Sequence, residues 1–202
     1  MKVKICGLTR KEDVACAVAA GADMAGFVFA PSPRQVSSQQ VQELAQDILP
    51  GVSKVGVFVN EECEEVKRII DECGLDFVQL HGEESPEYCA EFGTKAIKAF
   101  SIRSKTDIER LKDYPCSTFL LDAFDSDARG GTGKQFDHSF ALEAKQYGNI
   151  IIAGGLTPDN VADVIRAVHP WGCDVSSGVE EEKGIKDCRL ISQFIRSAKE
   201  EI

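Results

Sequence analysis

The 202-residue sequence predicts an α/β chain folded as a single-domain (β/α)8 TIM barrel, on three observations. Eight short apolar runs rich in Val, Ile and Phe punctuate it, helix-like segments separate them, and the runs begin every 18 to 31 residues. That interval holds one helix and two short loops, and strict alternation of strand and helix implies a parallel sheet with right-handed crossovers. Eight units favour a closed barrel over an open doubly wound sheet, at the short end of the fold's size range. No linker or second domain is visible, so residues 1–202 are expected to form one catalytic unit.

The expected strands are Val3–Cys6, Met24–Ala30, Lys54–Asn60, Phe77–His81, Lys95–Phe100, Thr118–Phe124, Asn149–Gly154 and Cys173–Ser177. After the first, Thr9-Arg10-Lys11-Glu12 fits a capping box, and Gly21 would stop the helix. Gly74 stands where a later helix should end. Ser85-Pro86 and Thr157-Pro158 each place a capping hydroxyl before a proline at the first helical position. Cys6-Gly7-Leu8-Thr9 is echoed by Gly154-Gly155-Leu156-Thr157, as suits a fold of repeated units.

Thirty-three acidic against 23 basic residues give a net charge of −10, which argues against a nucleic-acid or anionic-membrane surface. An anionic ligand would need a local constellation to hold it against that field. No apolar run approaches the ~18 residues of a membrane span, and MKVKICGLTR lacks a signal peptide's apolar stretch. Cytoplasmic location is therefore expected. None of the eight cysteines pair at C-x-x-C spacing, so they are expected to be reduced and mostly buried.

In such barrels the chemistry sits at the C-terminal ends of the strands. Strand one ends at Cys6, strand four at His81, strand six at Asp122. Alternation puts Lys4 on the face of Cys6, Gln79 with His81, and Asp174 with Ser176. Closure makes strands one and eight neighbours, so a buried Lys4–Asp174 pair beneath the site is expected. Gly154-Gly155 and Ser176-Ser177-Gly178 suit a phosphate site, because glycines let backbone N–H groups approach an anion; tight turns would also explain them. Gly130-Gly131-Thr132-Gly133-Lys134 lacks P-loop spacing, and Asp125 to Phe136 suits a lid. Arg34, in a loop stiffened by Pro31 and Pro33, could grip a carboxylate or simply be a solvated surface residue.

Several of these segments resemble the phosphoribosylanthranilate isomerases of tryptophan biosynthesis. They include Lys2 through Thr9, Gly26 through Arg34, Val55 through Asn60, Val78 through Glu84 and Leu120-Leu121-Asp122. Gly130 through Asp137, Ala153 through Leu156 and Asp174 through Glu180 continue the match, in order, over nearly the whole chain. A tryptophan often follows the lid motif in that family; His138 stands here. The resemblance implies a monomer or homodimer without metal or organic cofactor. It implies an Amadori rearrangement of a small phosphorylated substrate, with Cys6 as general base, Asp122 as general acid, and Arg34 on the anthranilate carboxylate. His81 joins the substrate-binding set, and Gly154, Gly155, Ser176, Ser177 and Gly178 would hold the phosphate. Cys6 is expected to gain thiolate character from the helix that starts after it.

Other phosphate-binding barrels are the nearest alternatives. An indole-glycerol-phosphate synthase would carry catalytic lysines and a longer N-terminal extension, and a sugar-phosphate epimerase would need metal ligands at strand ends. A bifunctional isomerase would put an aspartate where Cys6 stands. A catalytically inactive barrel kept as a binding module would not need Cys6, Asp122 and Arg34 together.

Overall fold

The structure is a computed structural model and describes residues 1–122 and 138–200. Eight parallel strands close into a barrel in chain order: β1 Lys2–Cys6, β2 Met24–Val28, β3 Ser53–Phe58, β4 Phe77–Leu80, β5 Ala96–Ser101, β6 Thr118–Asp122, β7 Asn149–Ala153 and β8 Gly172–Val175. The seam pairs Lys4 with Met24 on one side and Asp174 on the other. Outside run α1 Lys11–Ala19, α2 Ser38–Leu44, α3 Cys63–Cys73, α4 Pro86–Ala90, α5 Lys105–Glu109, α6 His138–Ala144, α7 Val161–Val168 and α8 Cys188–Lys199. Among the described residues no helix is long and apolar enough to cross a membrane.

Period-2 alternation divides the core in two. Val3, Ile5, Phe27, Val78 and Phe119 face outward and pack against the helices. Met24, Val55, Ile97, Leu120 and Ile151 fill the barrel. Lys4, Cys6, Gln79 and Asp174 are buried too, and Lys4, next to Met24 in register, shares that interior.

Most strands stop a residue or two before the expected ends, because the chain leaves the ladder as it turns into the loops of the site. Ser85 caps α4 by accepting from Tyr88 N at 3.2 Å, and Gly74 closes α3 with φ 60°. The Thr9 capping box does not form. Helix α1 begins at Lys11 without a side-chain cap, and Thr9 Oγ1 donates to Gly184 O at 2.6 Å. Gly184 belongs to a small antiparallel hairpin, β9 Glu180–Glu182 and β10 Ile185–Lys186, which claims the hydroxyl that would have capped the helix. Thr157-Pro158 likewise opens a turn rather than a helix. Helix α7 starts at Val161, because Asn160 ties the turn together: its Oδ1 accepts from Thr157 N at 2.8 Å and its Nδ2 donates to Gly155 O at 2.9 Å.

The expectation of uniformly reduced cysteines is corrected. Cys16 of α1 and Cys188 of α8 form a disulfide, with Cα atoms 5.5 Å apart across 172 residues of sequence. Barrel closure brings the first and last helices together, which no sequence spacing reveals. Cys6, Cys63, Cys73, Cys89, Cys116 and Cys173 are free thiols.

Candidate active site

A cavity of about 350 Å³ opens at the C-terminal ends of the strands. Cys6, Arg34, His81, Asp122, Gly154, Gly155, Ser176, Ser177 and Gly178 all line it, so strands far apart in sequence converge on one space. Gln79 and Asp174 line it as well, and Val28, Val57 and Leu156 give it apolar wall. The segment Asp125 to Phe136, expected as a lid, lies outside the described residues.

On its floor Lys4 Nζ donates to Asp174 Oδ1 at 3.0 Å, the pair expected from closure. Burial works against the Lys4 ammonium, but Asp174 and Cys6 outweigh it and raise its pKa above the ordinary lysine value. Cys6 departs from expectation. Burial pushes its thiol up, and the Lys4 ammonium opposes this only in part, with Lys186 adding a smaller pull in the same direction. Helix α1 starts at Lys11, five residues after Cys6. The cations that favour thiolate are Lys4 and Lys186.

Arg34 is held by a carboxylate partner. Its Nε and Nη2 donate to Glu180 Oε1 and Oε2, both at 2.6 Å, a two-pronged grip that leaves Nη1 uncommitted by these bonds. Glu180 also accepts from Lys186 Nζ at 2.8 Å, and Lys186 donates to Ser176 O at 3.0 Å. Burial penalises the Glu180 carboxylate, yet the bonds from Arg34 and Lys186 bring its pKa below the ordinary range. Burial lowers the Lys186 pKa in turn, with Glu180 resisting. Glu180 and Lys186 are functional neighbours that sequence reasoning missed. Glu180 opens an acidic run that looks like solvated surface, and Lys186 lies in no periodic pattern.

Across the cavity His81 Nε2 stands 3.5 Å from Asp122 Oδ2. The glycine loops are tight. Gly154 and Gly155 have φ 86° and 64°, in the region that favours glycine, and a Cβ on Gly178 would meet Leu156 O at 1.9 Å. The loops after β7 and β8 thus interlock through backbone. Among the described residues no three His, Cys, Asp or Glu side chains cluster to hold a metal ion.

The cavity's position places the protein among the (β/α)8-barrel enzymes, whose sites open on the C-terminal face. The family model described as N-(5′-phosphoribosyl)anthranilate (PRA) isomerase matches residues 3–197. An N-(5′-phosphoribosyl)anthranilate isomerase of Pelobacter propionicus is 48% identical over 201 residues, covering 99% of this chain and 96% of the relative. The crystal structure of phosphoribosyl anthranilate isomerase from Thermotoga maritima superposes with a TM-score of 0.89 at 40% identity, covering 99% of each chain. Another, in complex with reduced 1-(o-carboxyphenylamino)-1-deoxyribulose 5-phosphate, gives 0.86 at 39% identity, again over 99% of each. This chain belongs to the N-(5′-phosphoribosyl)anthranilate isomerase family.

Proposed function

We propose that this cavity converts N-(5-phosphoribosyl)anthranilate to 1-(2-carboxyphenylamino)-1-deoxyribulose 5-phosphate, an isomerisation of tryptophan biosynthesis, with the whole of residues 1–202 as one catalytic unit. The observation that carries the reading is the convergence of Cys6 and Asp122, on strands three places apart around the barrel, into one cavity rimmed by Arg34 and the two glycine loops.

The reaction needs an acid and a base on different sides of the sugar. Asp122 delivers a proton to the ring oxygen as the C1–O bond breaks, and the nitrogen lone pair forms an iminium. Cys6, as thiolate, removes the proton on C2, and that electron pair neutralises the iminium to give an enolamine. The enol O–H is then lost and C1 gains a proton, leaving the ketone. Cys6 has gained one proton and Asp122 has lost one, so exchange with solvent resets both. These are proton transfers and require no redox group. Lys4 supports the base by favouring its charged form.

Arg34 takes the anthranilate carboxylate while Glu180 holds it in place, the apolar wall faces the aromatic ring, and His81 borders the ribose. Gly154, Gly155, Ser176, Ser177 and Gly178 take the phosphate. A monomer or a homodimer is the expected assembly, and the cytoplasm is the expected compartment. Anthranilate is fluorescent, so loss of the substrate's emission on adding the protein tests the function directly. An unchanged signal under conditions where a known isomerase works would overturn it.

A further inference from the structure

Lys186 on β10 stands opposite Glu180 on β9 in the hairpin's register, and its Nζ donates to Glu180 Oε1 at 2.8 Å. Its main chain is fixed from α1: Lys186 N donates to Asp13 Oδ2 at 3.2 Å, and Lys186 O accepts from Arg10 Nη2 at 3.5 Å. Nζ also reaches Ser176 O at 3.0 Å and Ser176 Oγ at 3.4 Å, so the ammonium's three protons have three acceptors. The side chain has no solvent exposure and lies outside the cavity lining, so it touches no ligand. A buried ammonium is costly, and apolar residues often fill such positions with no loss of stability. The reason for this charge lies with Arg34. Glu180 holds two of the guanidinium nitrogens, and a carboxylate that close cancels most of the guanidinium's field. A neutral pair is a poor receptor for an anion.

We propose that Lys186 is a positioning residue for carboxylate recognition: it neutralises Glu180 from behind, so that Glu180 can orient Arg34 without consuming the arginine's charge. Arg34 and Lys186 are positive and Glu180 is negative, so the trio keeps one net positive charge for the ligand's carboxylate. Among the described residues the neighbouring charges are matched or exposed. Lys4 pairs with Asp174 and Arg10 with Asp13, while Glu181 and Glu182 lie on the exposed part of β9, where water and salt screen them. A chain of net charge −10 needs such a local excess of positive charge to hold an anion. The inference rests on Arg34 being the residue that takes the anthranilate carboxylate.

Two ligands that differ by one group test it: 1-(2-carboxyphenylamino)-1-deoxyribulose 5-phosphate and its phenylamino analogue without the carboxylate. Both carry the phosphate, so any change at the glycine loops cancels in the ratio of their dissociation constants. Wild type should prefer the carboxylated ligand by ~10-fold or more. Lys186→Gln can still donate to Glu180 but carries no charge, and its preference should fall to ~threefold or less. Glu180→Gln/Lys186→Gln removes one charge of each sign and should recover a preference within ~threefold of wild type. A lysine needed only to hold the hairpin would not be rescued by removing its partner's charge. A Lys186→Gln protein with the wild-type preference, or a double variant no better than the single one, would overturn the proposal. Should Lys186→Gln not fold, the double variant decides, since it leaves Arg34 the same net charge as wild type; a preference as low as that of Arg34→Met then overturns the proposal. A wild type that binds both ligands equally would instead overturn the role of Arg34, and this inference with it, so the two failures are told apart.

Discussion

Lys98–Glu84 and Lys4–Asp174 are both buried lysine–carboxylate pairs, and they are built in opposite ways. Lys98 Nζ donates to Glu84 Oε2 at 3.0 Å and to the carbonyls of Leu80, Gly82 and Ala99 at 3.1, 2.7 and 3.1 Å. Glu84 in turn accepts from the amides of Asn60 and Gly82. This pair is a knot of backbone on the outer side of β5, with both charges saturated. Lys4, inside the barrel, bonds to the single carboxylate of Asp174 and has Cys6 as its other electrostatic neighbour. The contrast is instructive. A buried ion pair whose remaining protons go to carbonyls holds a loop, whereas one with spare donor capacity beside a thiol acts on that thiol.

The largest expected effect separates chemistry from architecture. Cys6→Ser and Asp122→Asn should each lower kcat by ~10²–10⁴-fold while the protein still binds product. Lys4→Met should keep the fold's outline yet slow alkylation of Cys6 by iodoacetamide. Lys98→Met should leave that alkylation rate untouched. Equal slowing by the two lysine variants would erase the distinction between the pairs, and a loss under tenfold for Cys6→Ser would move the base role elsewhere.

Stability should divide the other way. Removing Lys98 strands a fully buried carboxylate and should cost ~3–5 kcal/mol in urea unfolding. Lys4→Met should cost less, because Asp174 lines the cavity, where water can reach it. Next in size is the Cys16–Cys188 disulfide, which ties α1 to α8 at the seam; its reduction should lower stability by about 2–4 kcal/mol without changing kcat. Identical unfolding midpoints with and without reductant would show that it contributes nothing. Arg34→Met comes after: carboxylated ligands should lose about 1.5–3 kcal/mol, and inorganic phosphate much less. Equal losses would assign Arg34 to the phosphate loops or the fold.

How much of this was legible in the sequence follows the same division. Lys4–Asp174 could be foreseen because it depends only on strand alternation and barrel closure, both periodic properties. Cys6, His81 and Asp122 were legible for the same reason, as polar residues at strand ends. Lys98–Glu84 and Arg34–Glu180 were not, since each joins a strand or loop to a segment that returns to it without periodicity. Thr9 shows a local rule overridden: its spacing suits a cap, but the β9–β10 hairpin offers Gly184 O first. The Cys16–Cys188 pairing and the raised thiol of Cys6 are properties of packing, visible only once helices are placed and water is removed.

The smallest effect concerns acid. Burial penalises the Glu84 carboxylate, but the Asn60 amide and Lys98 more than offset this and hold its pKa below the ordinary carboxylate range. Its folded form therefore binds a proton less readily than its unfolded form, whose reference value is ~4.3. The stabilisation is present above that unfolded value and is lost as pH falls through the lower, folded one. Glu180 has the same sign, through Arg34 and Lys186. Thermal unfolding from neutral pH down to about pH 3 should show a steeper acid loss for wild type than for Glu84→Gln, which starts lower and declines less. Glu180→Gln should flatten the acid limb in the same direction, although solvent screens the partly exposed Arg34 half of its pairing. If the wild-type and Glu84→Gln curves fell in parallel below about pH 5, Glu84 would not be the acid-labile half of a saturated pair, and the contrast with Lys4–Asp174 would lose its thermodynamic side.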